Sequence, residues 1–556
     1  MTKTVYQTIA EGLTAYDTSI VFGLPSDDLL LMKEMKDQGI EFVAAKDQRN
    51  AVFMAIGYAL SSTKLGVCSV GKGPAVSNCI TGLLEGESQS VPLLIIASST
   101  GTQNYGDKKS FQEARQIEMV APIVKWSHRL ENAQSIGWVL KKAVYLAMCG
   151  TPGPVYIEIP EDIGTHEIIG EALKFEPLHL SQFLADPLSI QHARVQLISA
   201  DRPLLVLGGG SKRLFNREII REFADWLGGP VFATASGRGS FDEEHPLFCG
   251  LAGLYCPPKM HDLVAESDLI LTVGSKLEET ALFGWEEVFQ SKDIIQINIS
   301  PEGFNLCLSG LKLLGDGGLI LKELMDGRAG RENIRDWNNR VIKKNKQLIA
   351  APVHIAAGGK LKVATLLKEM KLQLPSNTVF VHENGLQDMW SYFYPYHMLK
   401  KGQDAIVPSE QTSLGFGAAA AVGVSIARSD QVVVAIVGDG AFNLFQSDIS
   451  TLLSQGGQVI YVILRNGGYG WLEYQNRFNE GSSAFINMKR LALLTQDTRL
   501  EFISVEQEDE VGTALKQALE YYASGKSVLI ECNVEITDVP GPLKEIYGDF
   551  PVKERK

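Results

Sequence analysis

The stretch Val432-Val433-Val434-Ala435-Ile436-Val437-Gly438-Asp439-Gly440 predicts the fold around it. Its apolar run is rich in β-branched side chains and ends in glycine, which is typical of a buried parallel strand. The apolar spacing from Ala441 to Leu453 predicts a helix directly after it. Asp439 therefore lies in a strand-to-helix turn, where free backbone N–H groups attract phosphate and a carboxylate oxygen suits Mg²⁺.

A second apolar run, residues 458–464, predicts a neighbouring buried strand that ends in Arg465-Asn466-Gly467-Gly468-Tyr469-Gly470. The carboxyl ends of parallel strands meet at one sheet edge, so the Asn466 amide and the Gly468 carbonyl should approach Asp439. One carboxylate, one amide oxygen and one carbonyl, completed by phosphates and water, predict a Mg²⁺ shell. Candidate ligand contacts on the two turns are Gly438, Gly440, Ala441, Tyr469 and Gly470.

The two turns together resemble the thiamine diphosphate motif of the acetohydroxyacid synthase and pyruvate decarboxylase superfamily, which is Gly-Asp-Gly, a spacer and Asn. A lone Gly-Asp-Gly is weak evidence, so the flanking strands and Asn466 carry the inference. Arg465 stands where the family usually repeats Asn, but the ligand position is kept. The resemblance implies thiamine diphosphate and Mg²⁺ as cofactors, with Asp439, Asn466 and Gly468 holding the metal.

Length and composition restrict the classes of protein to consider. A chain of 556 residues predicts about three domains. The net charge of −13 argues against nucleic-acid binding, which needs a basic face. No long apolar run and no signal-peptide core is present, so we expect a cytoplasmic protein that does not enter membranes. Seven scattered cysteines without a Cys-x-x-Cys pair indicate reduced thiols.

Strand and helix patterns alternate along most of the chain, which predicts an α/β fold with three doubly wound parallel-sheet domains. We expect a pyrimidine-binding domain over residues 1–170, a central domain over 188–330 and a diphosphate- and Mg²⁺-binding domain over 358–540. The tail from Asp538 is expected to be peripheral. Further strands are predicted at residues 20–22, 42–44, 66–69, 92–96, 155–159, 204–207, 269–273, 378–381 and 527–531.

The N-terminal third carries three more segments that resemble the superfamily. These are Val21-Phe22-Gly23-Leu24-Pro25, Gly73-Pro74-Ala75-Val76-Ser77-Asn78 and Phe111-Gln112-Glu113. The resemblance implies that Pro25 and Asn78 contact the cofactor and that Gln112 faces substrate. It also implies that this domain faces the diphosphate domain of another subunit, in a homodimer or homotetramer with active sites between subunits.

One position departs from the family in a way that concerns its chemistry. Relatives place a glutamate before a helix ending in Met-Ala-x-Gly-Tyr-Ala, where it exchanges a proton with the pyrimidine ring nitrogen. Counting back from Met54 puts Gln48 at this position, and an offset of one would put Asp47 there. A glutamine amide hydrogen-bonds a ring nitrogen but cannot exchange a proton with it. Glyoxylate carboligase, a family member, also lacks this glutamate, so activity by another route and an inactive cofactor-binding homologue both stay open.

Residues expected near the substrate distinguish acyl transfer from aldehyde release. Lys72 stands where synthases usually have a small residue, and it either meets an anionic substrate or faces solvent. Pyruvate-type decarboxylases use a His-His pair and a glutamate at the position of Leu472. This chain has neither, although Glu473 is the next residue. We therefore expect decarboxylation of a 2-oxo acid with acyl transfer to an acceptor, as in acetohydroxyacid synthases, and keep a decarboxylase that releases aldehyde as the alternative.

The segment His382-Glu383-Asn384-Gly385-Leu386-Gln387-Asp388-Met389-Trp390 resembles the synthase loop that holds the diphosphate, which implies cofactor contacts for Gly385 and Gln387. Thr412-Ser413-Leu414-Gly415 resembles the element that bends the cofactor. There Leu414 would fit between the two rings and the Thr412 carbonyl would accept from the amino group, whereas an ordinary core leucine is the alternative for Leu414.

The glycine run Gly208-Gly209-Gly210 of the central region follows an apolar strand. It lacks the last glycine of a dinucleotide fingerprint, so a nicotinamide cofactor is not predicted. Acetohydroxyacid synthases bind FAD in this domain. FAD stays open for this chain, and Lys276 counts against it because the family usually has arginine there.

Overall fold

The computed structural model describes residues 3–26, 29–169, 174–214, 216–326, 332–351, 360–386, 388–478 and 497–549. Two compact units make up the chain. One unit comprises Met1–Ser181, Gln411–Val433 and Ala441–Val459, and the other comprises Gln182–Glu410, Val434–Gly440 and Ile460–Lys556. No helix within these described ranges is long and apolar enough to cross a membrane.

The N-terminal region forms a parallel α/β sheet. Its elements are β1 (Lys3–Thr4), α1 (Val5–Ala15), β2 (Ile20–Gly23), α2 (Leu29–Asp37), β3 (Glu41–Ala44), α3 (Gln48–Ser62), β4 (Gly66–Val70), α4 (Pro74–Ser88), β5 (Leu93–Ser99), α5 (Gln116–Val120), β6 (Trp126–Arg129), α6 (Ile136–Met148), β7 (Pro154–Pro160) and β8 (Glu167–Ile168). Six strands pair in the order β3-β2-β4-β5-β7-β6, while β1 and β8 pair separately and antiparallel.

The buried strands of this sheet are the ones that sequence predicts. Every residue of β4, β5 and β7 is buried, which fits their continuous apolar runs between covering helices. Strand β6 was not expected, because Trp126-Ser127-His128-Arg129 has no apolar run. It lies at the edge of the sheet, where one side needs no strand partner.

The central region forms a second six-stranded sheet in the order β11-β10-β9-β12-β13-β14. Its elements are α7 (Pro187–Ser199), β9 (Pro203–Leu207), α8 (Glu218–Leu227), β10 (Val231–Ala233), β11 (Phe248–Leu251), α9 (His261–Glu266), β12 (Leu269–Val273), α10 (Glu279–Leu282), α11 (Glu286–Ser291), β13 (Asp293–Asn298), β14 (Leu311–Leu314), α12 (Gly317–Leu324) and α13 (Arg335–Ala350). The expected domain limits at residues 170 and 358 lie outside the described residues.

The C-terminal region forms the third sheet, in the order β16-β15-β17-β18-β20-β19. Its elements are α14 (Val363–Gln373), β15 (Thr378–His382), β16 (Asp404–Ile406), α15 (Phe416–Ala427), β17 (Val432–Gly438), α16 (Asp439–Phe445), α17 (Ile449–Ser454), β18 (Ile460–Arg465), α18 (Gly470–Gln475), β19 (Leu500–Val505), α19 (Val511–Ala523), β20 (Ser527–Asn533) and α20 (Gly541–Tyr547). Three parallel sheets with helices confirm the predicted fold class.

Two local expectations were wrong. The helix expected from Ala441 to Leu453 begins at Asp439 and is interrupted by a 3₁₀ turn, Gln446–Asp448, that separates α16 from α17. The tail from Asp538 is not peripheral, because Leu543 of α20 is fully buried and the Asp538 carboxylate accepts the Val363 N–H at 2.8 Å. Both errors come from contacts with residues distant in sequence, which a local apolar pattern does not show.

Helices α3 and α15 cross at very short range within one unit. A Cβ on Gly57 would lie 2.1 Å from the Ala420 carbonyl oxygen, and a Cβ on Gly423 would lie 1.8 Å from that of Met54. Only glycine permits backbones to approach this closely. Helix α3 begins at Gln48, the residue that replaces the family's glutamate, so this crossing fixes the helix that carries it.

Candidate active site

Asp439 lies where the sequence places it, at the end of β17 and the start of α16. Its carboxylate is almost fully buried, and its two oxygens accept the Gly440 N–H at 2.9 Å and the Gly467 N–H at 3.1 Å. Burial raises the pKa of Asp439 to about 6, although both hydrogen bonds act in the opposite direction. Among the described residues no ion pair neutralises Asp439, so a bound divalent cation would be its natural counter-charge.

The turn after β18 lies beside Asp439, as predicted. Strands β17 and β18 pair in parallel, with Gly438 opposite Leu464. The Asn466 side-chain oxygen accepts the Gly468 N–H at 2.8 Å, which fixes the turn locally. A Cβ on Gly440 would lie 2.8 Å from the Tyr469 ring, so glycine lets the two turns pack together.

The donor set at this edge suits a hard cation held only partly by protein. Within the described ranges no three His, Cys, Asp or Glu side chains are arranged to hold a metal. A Mg²⁺ ion here would therefore use one carboxylate, from Asp439, together with amide, carbonyl, phosphate and water oxygens. This Mg²⁺ shell stays a prediction from the sequence.

Asp388 is a residue whose importance the sequence did not show. It is fully buried, its Oδ1 has no hydrogen-bond partner in the structure, and its Oδ2 would lie 2.7 Å from a Cβ on Gly385. Burial, then the charges of Glu383 and Asp439, raises the pKa of Asp388 well above its usual range. The carboxylate occupies the loop that resembles the diphosphate-holding segment. In the sequence, Asp388 was visible only as an acidic residue within the quoted segment 382–390.

Gln48 is the first residue of α3, and its Oε1 accepts from the Asn78 side-chain amide at 3.1 Å. This bond leaves the Gln48 NH₂ group available as a donor. Asp47, the alternative by one offset, is the N-cap of α3, and its carboxylate accepts the Arg49 N–H at 2.8 Å. The cap occupies the Asp47 side chain, which favours Gln48 as the residue that faces a ligand.

Asp448 holds the chain on both sides of Gln48. Its carboxylate accepts the Lys46 N–H at 2.7 Å and the Asn50 side-chain amide at 2.8 Å. Thr451 adds a bond from its hydroxyl to the Ala44 carbonyl at 2.8 Å. The same carboxylate accepts the Thr451 hydroxyl of α17 at 3.0 Å, so Asp448 joins the loop before α3 to its own helix.

The segment expected to bend the cofactor contains two residues in a left-handed backbone conformation. Thr412 and Gly415 both adopt positive φ angles, of 44° and 90°, and the Ser413 N–H donates to the buried Glu85 at 3.1 Å. Leu414 is half-buried, although its neighbours Ser413 and Gly415 are buried. This exposure argues against the ordinary core leucine, and leaves a side chain that can contact a ligand.

Lys72 and Gln112 are brought to one edge of the N-terminal sheet. Lys72 is buried and forms an ion pair with Glu161, a residue that sequence did not single out. The backbone of Gln112 passes so close to Gly73 that a Cβ there would lie 2.5 Å from the Gln112 carbonyl oxygen. Gln112 itself has a positive φ of 54°. Gln48 and Lys72 share no hydrogen bond among the residues that can be described.

A buried polar network fixes the loop that carries Lys72. Gln116 accepts the Gly73 N–H at 2.7 Å and donates to Tyr156 and Glu158, both at 2.9 Å. Arg129 neutralises Glu158 at 2.9 Å within the same cluster. The network ties the ends of four strands or loops together, so the loop has little freedom to move.

Four predicted positions remain: Pro25, Ala441, Gly470 and Gln387. Pro25 is exposed after β2, in a loop whose Ser26 hydroxyl lies 2.1 Å from where a Cβ on Gly71 would be. Ala441 is buried in α16 and Gly470 begins α18. Gln387 lies outside the described residues.

The glycine run of the central sheet has a packing explanation that needs no nucleotide. A Cβ on Gly208 would lie 2.2 Å from the Gly274 carbonyl oxygen, and the Gly210 N–H donates to that oxygen at 2.9 Å. A Cβ on Gly237 would lie 2.2 Å from the Leu207 carbonyl oxygen. These loops require glycine in order to pack on one another, so the run is not by itself evidence for FAD.

Comparisons with known proteins identify the family of this chain. Family models of the thiamine pyrophosphate enzymes match in order: the N-terminal TPP-binding domain over residues 3–119, the central domain over 190–324 and the C-terminal TPP-binding domain over 383–532. The acetolactate synthase large subunit of Lactococcus lactis is 26% identical over 522 residues, which cover 92% of this chain and 89% of that protein.

Two further relatives come from distant organisms. A probable acetolactate synthase large subunit of Methanococcus aeolicus is 26% identical over 547 residues, covering 92% of this chain and 89% of its own length. The acetolactate synthase isozyme 2 large subunit of Escherichia coli is 26% identical over 482 residues, covering 85% and 86%. The chain therefore belongs to the thiamine pyrophosphate enzymes, with the N-terminal, central and C-terminal domains of that family all present.

Proposed function

We propose that the protein decarboxylates a 2-oxo acid and transfers the resulting acyl group to an acceptor carbonyl. Its relatives are named acetolactate synthases, which supports the proposal. The observation that carries the proposal is the buried Asp439 turn beside Asn466, in a chain that matches all three family domains. Bound thiamine diphosphate would supply the electron sink for breaking the bond to the carboxylate.

The residues present fit this cofactor and Mg²⁺. Asp439 offers a buried carboxylate without a paired cation among the described residues, at the carboxyl end of β17. Glycine at 385 and 440 lets the Asp388 carboxylate and the Tyr469 ring pack close to the backbone there. Asp439, Asn466 and the Gly468 carbonyl would hold the metal, while Gly438, Gly470 and Ala441 border the same turns. On the pyrimidine side, Pro25, Asn78, Thr412 and Leu414 are the proposed contacts.

Gln48 is proposed to act as a hydrogen-bond donor and not as a proton-exchanging group. Its oxygen is occupied by Asn78, so its NH₂ would point at a ring nitrogen that carries no proton. Such a bond holds the ring in place without changing its protonation. Cofactor activation should then be slower than with glutamate, or assisted by another group.

The alternative of simple aldehyde release has less support. Leu472, at the position where decarboxylases carry a glutamate, is 46% exposed and has no acidic group. Glu473 is partly buried on the next position of α18, where the helix turns it to a different direction. Without a glutamate at this position to protonate the acyl carbon, aldehyde release is slowed and transfer to an acceptor is favoured.

Measuring carbon dioxide and product together tests the proposal. With thiamine diphosphate, Mg²⁺, pyruvate and a second 2-oxo acid, we expect one carbon dioxide for each new carbon–carbon bond. One free aldehyde per carbon dioxide would show the decarboxylase instead. No carbon dioxide from a range of 2-oxo acids would favour the inactive homologue.

Assembly and location follow from the same proposal. We propose a homodimer or homotetramer in which the N-terminal domain of one copy and the C-terminal domain of another form each active site, with the cytosol as its location. FAD is not required by the reaction proposed. Its absence or presence can be read from the visible absorbance of the purified protein, because oxidised flavin is coloured.

A further inference from the structure

The ion pair between Lys72 and Glu161 lies at the carboxyl ends of the N-terminal strands. Lys72 follows β4 and Glu161 follows β7, and β5 lies between these strands. The lysine therefore reaches across the end of β5 to its partner. In a parallel α/β sheet this edge is where ligands bind, which makes the pair more than a surface contact.

The two partners differ in how firmly they are held. The Lys72 side chain is 7% exposed, whereas that of Glu161 is 45% exposed. The backbone beside Lys72 is fixed through the Gly73 N–H, which donates to the buried Gln116. A cation that is buried needs a counter-charge, while a half-exposed carboxylate can turn into water at little cost. The arrangement favours replacement of the glutamate by another anion.

An exposed aromatic ring lies beside the cation. The Phe111 ring centroid is 5.9 Å from the Lys72 ammonium, and Phe111 is 73% exposed. Gln112, with its positive φ, holds this segment against Gly73. A cation next to an apolar ring suits a short carboxylic acid, whose charge meets Lys72 and whose carbon chain contacts Phe111.

The proposed reaction decides which carboxylate suits this site. The donor 2-oxo acid loses its carboxylate as carbon dioxide, its acyl carbon forms a bond to the acceptor carbonyl carbon, and one proton converts the acceptor oxygen to a hydroxyl. A cation on the departing carboxylate would stabilise the ground state more than the transition state, because that charge leaves the group during reaction. A carboxylate that survives the reaction has no such penalty.

We propose that Lys72 binds a carboxylate that is retained in the product, displacing Glu161, and so selects an anionic over a neutral substrate. The inference rests on the proposed function. The retained carboxylate belongs either to the acceptor or to a second acid group on the donor. The chemistry recognised is the same in both cases.

Kinetics with matched substrates test this selection. In the first pair of assays pyruvate is the donor, and the acceptor is either 2-oxobutyrate or propanal. In the second pair propanal is the acceptor, and the donor is either 2-oxoglutarate or 2-oxobutyrate. In Lys72→Met we expect KM for the substrate with the retained carboxylate to rise about 10- to 100-fold, the range for a lost charged hydrogen bond, with kcat little changed. If KM changes in the first pair of assays, the retained carboxylate belongs to the acceptor. If KM changes in the second pair, it belongs to the donor. Lys72→Arg should restore KM.

The partner variant separates selection from a purely structural ion pair. Glu161→Gln removes the competing carboxylate, so KM for the anionic substrate should fall, whereas KM for propanal should stay. Lys526→Met breaks a similar lysine–glutamate pair, Lys526 with Glu501 at 2.5 Å, at the amino ends of β20 and β19, and should change neither value. Equal changes for anionic and neutral substrates in Lys72→Met, or a raised KM in Glu161→Gln, would overturn the inference.

A binding measurement keeps the test independent of turnover. Propionate is titrated calorimetrically into the protein loaded with thiamine diphosphate and Mg²⁺. Binding that is present in the wild type, lost in Lys72→Met and kept in Lys72→Arg supports the site, and unchanged binding in Lys72→Met contradicts it. If no acceptor yields product, the proposed function fails, while this titration still decides the role of Lys72.

Discussion

Two side chains, Asp439 and Gln48, carry most of the proposed chemistry at the scale of single residues. Asp439 is a buried carboxylate that a metal would neutralise, and its place was predictable from the Gly-Asp-Gly turn. Gln48 was predictable as a departure from the family, but its hydrogen bond to Asn78 was not. That bond is consistent with the donor role proposed for the glutamine.

Mg²⁺ binding should depend on pH through Asp439. Its pKa is raised to about 6 by burial, and the protonated acid cannot bind a cation. We expect Mg²⁺ affinity to fall about tenfold for each pH unit below about 6 and to be level above it. Calorimetric titration at pH 5, 6, 7 and 8 measures this. Asp439→Asn should bind weakly at every pH, and an equal affinity of the wild type at pH 5 and 7 would show that Asp439 is not the ligand.

Replacing Gln48 by glutamate tests whether glutamine is adapted to this reaction. A carboxylate at this position still accepts from Asn78 and can also exchange a proton with the ring nitrogen. We expect Gln48→Glu to speed deuterium exchange at the thiazolium C2 of bound cofactor without raising kcat. Nuclear magnetic resonance of quenched samples gives the exchange rate. A large gain in kcat would mean that the glutamine slows this reaction and is not adapted to it.

At the scale of elements, the crossing of α3 and α15 sets the position of Gln48. Backbone atoms of the two helices face each other at Gly57 and Gly423, and Phe53 packs on Phe416 with ring centroids 5.6 Å apart. Asp448 then fixes the loop before α3. The helix start that carries Gln48 is therefore held by contacts at both ends.

Gly57→Ala should destabilise the protein strongly. The new Cβ would lie 2.1 Å from the Ala420 carbonyl oxygen, and backbone on both sides cannot turn away. We expect a loss of about 1–3 kcal/mol or more in the free energy of unfolding, as for other overpacked sites. Gly512→Ala in α19 is the control, because its Cβ would meet only the flexible side chains of Glu369, at 3.1 Å, and Gln373, at 3.9 Å. Urea denaturation should separate the two variants, and equal midpoints would contradict the close crossing.

Sequence predicted those elements and site residues that depend on local pattern. Apolar runs gave β4, β5, β17 and β18, because strands buried on both faces consist mostly of apolar residues. Edge strand β6 and the interruption of the helix after Asp439 were missed, since an edge strand tolerates polar residues and the interruption serves distant Lys46 and Asn50.

The unpredicted part of the site consists of contacts between residues far apart in the chain. Glu161 pairs with Lys72 across β5, and Gln116 holds Gly73. No motif marks either residue. Asp388 lay within a quoted motif, but only its burial and unpartnered oxygen showed that it differs from a surface acid.

At the scale of the whole molecule, all three family domains are present in one chain, and the candidate residues fall into two groups. Gln48, Asn78 and Lys72 belong to the unit that includes Met1–Ser181, whereas Asp439 and Asn466 belong to the other. The proposal that one site draws on two copies of the chain makes a prediction about mixtures of variants.

Mixing two inactive variants should restore activity if subunits share sites. Gln48→Ala damages the part of a site that comes from the N-terminal domain, and Asp439→Asn damages the part that comes from the C-terminal domain. In a mixed dimer one of the two sites combines two unaltered parts, so half of the sites would be intact. Co-expression at equal levels should give about a quarter of the wild-type activity, since half of the dimers are mixed. Activity assays on the co-purified protein measure this. Activity no greater than the mean of the two variants would contradict sites shared between copies.

The central claim is that this chain activates thiamine diphosphate although glutamine replaces the family's glutamate. Deuterium exchange at the thiazolium C2 of cofactor bound to the wild-type protein tests it most directly. We predict exchange clearly faster than in free thiamine diphosphate at the same pH, and slower than in Gln48→Glu. Exchange no faster than that of the free cofactor would contradict catalysis and leave a binding protein.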